Sequence, residues 1–223
     1  PSTIYCFSTI GESPYNWIIC EGSSDKYYLI KYFEDIIDNN KLRIIPVGGA
    51  SEVKRLYQHI SLAYEDLKSE ITGKIILLSD TDAQLVRYET QNQQNHPNLM
   101  CKRIVNCETE GKTKLVKIDS NPYSPETEIE DVLNGKLFYE ILIGFKQKYP
   151  DLLDFVYEKK DVSEKSSYFA LDLRQTEREK LKKFFDQDNN KSNFASNYIE
   201  RINNNYATPD WITEMKNFII QDK

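Results

Sequence analysis

Three short apolar runs separated by two amphipathic stretches constrain this chain more than any other feature. Trp17-Ile18-Ile19-Cys20 ends at Glu21-Gly22, Leu42 to Val47 ends at Gly48-Gly49, and Lys74 to Ser79 runs straight into Asp80-Thr81-Asp82. Each run is short and apolar enough to be a buried strand. Between the first two, Ser23 or Ser24 is placed to cap a helix whose apolar face is Leu29, Phe33, Ile36 and Ile37, with Asn39-Asn40 at its end. Between the second and third, a helix from about Ser51 to Ser69 presents Val53, Leu56, Tyr57, Ile60, Ala63, Tyr64 and Leu67. Strand, helix, strand, helix, strand predicts a parallel sheet covered by helices, because parallel neighbours need a crossover that buries a sheet face.

Beyond Asp82 the pattern changes. Glu89 to Asn98 is polar and reads as a loop. Met100 to Cys107 and Lys112 to Ile118 read as two strands joined by Glu110-Gly111, and Asn121-Pro122 through Pro125 breaks the pattern before a helix from Glu126 onward. From Lys136 the chain is rich in Lys and Asn, with helical periodicity and little strand character. The division expected is an α/β core over 1–135, with a short lead-in strand at its start, and a mainly helical C-terminal extension over 136–223. In that extension Thr176-Glu177-Arg178-Glu179 fits a capping box, and Thr208-Pro209-Asp210 opens a last helix. The stripe Trp211, Met215, Phe218 and Ile219 reads as packing rather than a cofactor box.

The chain has 223 residues, 39% of them apolar and 29% charged, enough for a full-sized core. Its 29 Lys and Arg against 35 Asp and Glu exclude a strongly basic nucleic-acid coat protein, though not a local basic groove. No stretch approaches the run of roughly 18 uncharged apolar residues that spans a membrane, and the opening PSTIYCFSTIGES lacks the pattern of a secretory signal. Cys6, Cys20, Cys101 and Cys107 are too scattered for a disulfide framework, and with only His59 and His96 beside them they make no zinc pattern. Reduced thiols and a cytoplasmic setting are expected. The start at Pro, entering a strand-like run at once, suggests a piece of something longer.

Acidic residues gather at the ends of elements. Glu21 directly follows the first strand and Asp25 lies in the first turn of the following helix. Asp80 and Asp82 follow the third strand, where residues two apart share a side, and Glu128 and Glu130 repeat that spacing before a helix, with Asp131 beside them. Ligands of open parallel sheets bind at the carboxyl edge of the strands. Six acids converging there would repel and be driven toward protonation, a conflict that divalent cations bound through oxygen resolve. Setting these six aside leaves 29 acidic residues against 29 basic ones, so the six carry the whole formal charge of −6. Gly48-Gly49 could bring backbone amides to a phosphate or simply form a tight turn. Lys54 and Arg55, Lys102 and Arg103, and Lys112 with Lys114 are candidates to line a nucleic-acid path.

These residues resemble a Toprim domain, the metal-binding fold shared by topoisomerases, primases and certain nucleases. The matching pieces are ICEGSSDKYYL, LLSDTD and the intervening strand ending in IIPVGG, and the likeness covers roughly Trp17 to Gly135. Within that group the chain is similar to nucleases of the OLD (overcoming lysogenization defect) family and related ATPase-linked anti-phage enzymes. Asp25 supplies a second acid in the first motif, TEIED supplies an acidic pair after a hairpin, and EKSSYFALDL resembles the family's Lys-containing segment. The resemblance implies two-metal hydrolysis of DNA phosphodiester bonds with Mg²⁺ or Mn²⁺. Glu21, Asp80 and Lys165 would be catalytic, and Glu21, Asp25, Asp80, Asp82, Glu128 and Glu130 would hold the metals. It further implies an ABC-type ATPase domain or subunit as partner, homo-oligomers formed through that ATPase, and no membrane. No Walker A pattern occurs here, so ATP hydrolysis is not expected of these residues. Two rivals stand beside this reading. One is a haloacid-dehalogenase-like phosphatase using the Asp80-Thr81-Asp82 motif, and the other a non-catalytic Toprim module kept for assembly.

Overall fold

A computed structural model of the chain describes residues 14–67, 71–82, 85–90, 95–120, 123–157, 162–187 and 189–221. The expected lead-in strand and Cys6 lie outside the described residues. The fold is α/β: a five-stranded, mostly parallel sheet flanked by helices, in agreement with the Toprim-like architecture expected.

Strands β1 (Asn16–Cys20), β2 (Leu42–Pro46), β3 (Ile75–Ser79), β4 (Leu99–Cys107) and β5 (Lys112–Lys117) lie in the order β2-β1-β3-β4-β5. The first four are parallel and β5 closes the edge antiparallel to β4. Ile18 of β1 sits beside Ile44 on one side and Ile76 on the other. Helix α1 (Ser23–Phe33) crosses from β1 to β2, and α2 (Ala50–Leu67) carries the chain back over β1 to β3. The two helices cover opposite faces. Ile18, Ile76 and Leu78 pack on the α1 side with Leu29 and Phe33. Ile19, Ile75 and Leu77 pack on the α2 side with Val53, Tyr57, Ile60 and Tyr64. Burial on both faces is why β3 reads as an unbroken apolar run.

After β5 a 3-10 turn, Ile129–Val132, leads into helices α3 (Gly135–Lys146), α4 (Ser167–Leu171), α5 (Gln175–Phe185), α6 (Asn190–Arg201) and α7 (Asp210–Ile220). They share the core on the α1 face, where Phe138, Phe184, Phe194, Tyr198 and Trp211 join Leu29 and Ile76 in one cluster. Trp211, Met215, Phe218 and Ile219 are all buried, so the last helix's stripe is packing. Among the described residues no helix is long and apolar enough to cross a membrane, and Cys20, Cys101 and Cys107 are free thiols.

Two local expectations are corrected. No regular helix begins at Glu126, because Thr127 is engaged in an antiparallel bridge with Thr81. The α-helix waits for Asn134, whose Oδ1 accepts the Leu137 N–H at 3.1 Å. In α5 the carboxylate of Glu177 accepts the Arg174 N–H at 2.8 Å, so the reciprocal cap is set two residues earlier than Thr176.

Candidate functional site

The boundary between β1 and β3 in the sheet order is where successive crossovers leave in opposite directions, and the strands' carboxyl ends open there into a cleft. Its volume is about 580 Å³, and Glu21, Asp25, Asp80, Asp82, Glu128 and Lys191 line it. Five of the six acids singled out by spacing therefore share one cavity, and the sixth, Glu130, lies buried behind Glu128.

Backbone geometry places the sheet-edge acids. Glu21 continues β1, and its carboxylate accepts the Asp80 N–H at 2.9 Å, tying the ends of β1 and β3 together. Its own carbonyl accepts the N–H groups of Gly48 and Gly49 at 2.8 and 3.1 Å. Those two amides are committed to Glu21, so they are not free to cradle a phosphate. Both glycines have positive φ, 93° and 120°, which the turn requires and side chains disfavour. Asp25, only 6% exposed, accepts the Gly22 N–H at 2.7 Å from the first turn of α1.

Between Asp80 and Asp82, Thr81 points the other way. Its hydroxyl donates to the Ile104 carbonyl at 2.6 Å, and its backbone exchanges hydrogen bonds of 2.9 and 2.8 Å with Thr127. That bridge aims Asp80 and Asp82 into the cleft together and brings Glu128, next to Thr127, to the same opening. Glu128 then starts the 3-10 turn, its N–H donating to Asp131 at 2.9 Å.

A cation enters from the helical part. The Lys191 ammonium stands 2.8 Å from Glu128 and 3.2 Å from Glu130. Tyr198, seven residues on and so on the same side of α6, anchors the helix against α1. Its hydroxyl lies 2.8 Å from that of Tyr32 and accepts the Asn134 N–H at 2.9 Å, while its ring meets Tyr28 edge-on. Lys191 was not singled out from the sequence. The available signal was a lysine at i−3 and i−7 from the buried Phe194 and Tyr198, on the stripe that packs inward.

The electrostatics are strained. Burial first, then Asp25 and Glu21, push the Asp80 carboxyl well above the usual carboxylate range. Burial raises Glu21 and Asp25 against hydrogen bonds that favour their charged forms. Glu130, 3% exposed, is pushed up to about 7 chiefly by burial. Burial works against the charge of Lys191, but Glu130 and Glu128 outweigh it and hold the ammonium above the usual lysine range.

Other predicted site residues lie elsewhere. Lys165 is exposed and does not line the cleft; its carbonyl accepts the Gly135 N–H at 2.8 Å. A Cβ at Gly135 would come within 2.2 Å of the Ala170 Cβ and 2.7 Å of that carbonyl, which is why the chain has glycine there. Lys54 is half-buried on α2, and Arg55 pairs with Glu52 on the same helix. Lys102 pairs with Glu214 at 3.5 Å, and Lys112 and Lys114 both pair with Glu110. Arg103 is corrected outright: it is 1% exposed, lies inside the sheet, and offers no surface to a nucleic acid.

No protein-family profile matches this chain, and no curated protein does. Solved structures similar to it include the C-terminal region of the Burkholderia pseudomallei OLD protein. That region has 13% identity and a TM-score of 0.47, covering 92% of this chain and 96% of that one. The C-terminal region of the Xanthomonas campestris pv. campestris OLD protein matches with 13% identity and a TM-score of 0.42, covering 92% and 91%.

Proposed function

We propose that this chain is a metal-dependent endonuclease of the OLD-like Toprim kind, hydrolysing DNA phosphodiester bonds. The observation that carries the reading is the convergence of Glu21, Asp25, Asp80, Asp82 and Glu128, from three separate segments, on one cleft that Lys191 also lines. The residues fit hard divalent cations. The donors are carboxylate oxygens, several carboxyls are held above their usual range, and buried Glu130 keeps Oε1 without a hydrogen bond while Oε2 faces Lys191. Among the described residues no three such side chains are gathered tightly enough to hold an ion as they stand.

In this reading Glu21, Asp25, Asp80, Asp82, Glu128 and Glu130 hold Mg²⁺ or Mn²⁺. A pair of ions there would activate water and stabilise charge on the attacking and leaving oxygens. Glu21 and Asp80, joined by their hydrogen bond, form the rigid floor of the site. Lys191, kept protonated by Glu128 and Glu130, meets the charge that builds on the phosphate, the task the sequence resemblance gives to Lys165. An ATPase domain or subunit that controls cleavage is proposed on that resemblance alone.

The experiment is incubation with supercoiled plasmid and Mg²⁺, Mn²⁺ or chelator, with Glu21→Ala as the comparison. Nicking that needs metal and disappears in the variant supports the nuclease. Phosphate release from a monoester without nicking would support the phosphatase rival.

A further inference from the structure

Arg103 is among the largest fully buried side chains of the described residues, and the cleft carboxylates that act on its charge, Glu21 and Asp82, make no direct ion pair with it. A buried guanidinium with no direct ion pair is costly unless its N–H groups find acceptors. What meets it instead is backbone. One terminal nitrogen, Nη1, donates to the Asp80 carbonyl at 2.9 Å. The other, Nη2, donates to Val86 at 2.6 Å and to Ile118 at 3.4 Å. These three carbonyls belong to Asp80 just beyond β3, to Val86 and to Ile118 just beyond β5. An apolar residue here would leave them buried and unpaired.

Resting on the nuclease reading, we propose that Arg103 is the positioning residue of the acidic cleft. Its planar fork clamps the segment carrying Asp80 and Asp82 and keeps it in register with Glu21. Two independent contacts converge on the same short segment. Glu21 accepts the Asp80 N–H, and Arg103 donates to the Asp80 carbonyl. The two peptide units flanking Asp80 are thus each held, one by a cleft residue and one by a residue that does not line the cleft. Lysine, with a single ammonium, cannot span the same carbonyls in a plane.

The test compares wild type, Arg103→Gln, Arg103→Lys and a control, Asn98→Ala. The control removes another buried side chain that donates to a backbone carbonyl, Ile71, at the opposite end of the sheet. Amide exchange by mass spectrometry, Mn²⁺ calorimetry and plasmid nicking are read on each. In Arg103→Gln, exchange at Asp80 and Thr81 should quicken at least about tenfold relative to β1, Mn²⁺ affinity should fall about tenfold, and kcat should fall further with KM for plasmid unchanged. Asn98→Ala should lose comparable thermal stability but keep local exchange, metal affinity and kcat at the cleft. If Arg103→Gln does not fold, Arg103→Lys decides, with a smaller shift in the same three readouts. Wild-type exchange at Asp80 and Thr81 in a folded Arg103 variant would overturn the clamp. Wild-type protein that neither binds Mn²⁺ nor nicks would overturn the nuclease reading instead, while the exchange result still judges the clamp.

Discussion

The sheet edge and helix α6 bring opposite charges to one cleft, and they are built on different principles. On the sheet edge Glu21, Asp25, Asp80 and Asp82 sit within a few residues of a strand end, and backbone contacts fix their segments: Glu21 to the Asp80 amide, Asp25 to the Gly22 amide, Thr81 to Thr127. On the helical side Lys191 is fixed by packing two turns away, where Tyr198 locks onto Tyr32, Tyr28 and Asn134. Local geometry sets the negative wall and tertiary packing sets the positive one. Changes on the sheet edge should therefore abolish chemistry with the fold intact, whereas changes in the α6 anchor should act through both stability and the lysine's position.

The largest effect expected is on the sheet edge. Asp80→Ala or Glu21→Ala should lower metal-dependent nicking by about 1,000-fold or more, with far-ultraviolet circular dichroism unchanged. Wild-type cleavage in either variant would remove the acids from the mechanism. Next comes the lysine. Lys191→Ala should reduce kcat by about 100- to 1,000-fold with little change in KM, while Lys165→Ala stays within about twofold of wild type. The reverse ranking would return the role to Lys165 and break the comparison.

That contrast between lysines also marks what the sequence made legible. The acids were readable because strand ends, an i, i+2 spacing and a helix first turn are short-range features, and a parallel sheet puts all its carboxyl ends on one edge. Lys191 was not, because its partners lie about sixty residues away and its place depends on how α6 docks on α1. Arg103 misled for the same reason. A Lys-Arg pair in a strand reads as exposed, but alternation turned Lys102 toward Glu214 and Arg103 into the sheet, beneath the Asp80 loop. Helix starts at Asn134 and Arg174 were displaced from their expected positions by a bridge and by a cap, both visible only once the chain had folded.

A smaller effect tests the charge imbalance itself. Glu130 and Asp131 are pushed up to about 7 and about 6, chiefly by burial. Both bind protons more readily folded than unfolded, so their contribution to stability is full at low pH and is lost as pH rises through the folded values. Metal-free protein in chelator should thus melt a few degrees higher near pH 6 than near pH 8. Glu130→Gln should flatten that slope, and a slope of opposite sign would contradict the assignment of burial as the cause. Smallest is the anchor: Tyr198→Phe loses the hydroxyl's contacts to Tyr32 and Asn134 and should cost about 1–2 kcal/mol of stability, with nicking only a few-fold slower.

The most direct test is calorimetric titration of the chelator-stripped protein with Mn²⁺, wild type against Asp80→Asn. A shared carboxylate cleft predicts saturable binding approaching two ions per chain in the wild type, and loss of that heat in a variant that keeps the shape but removes one negative charge. Identical isotherms for the two proteins, or no binding to either, would contradict it.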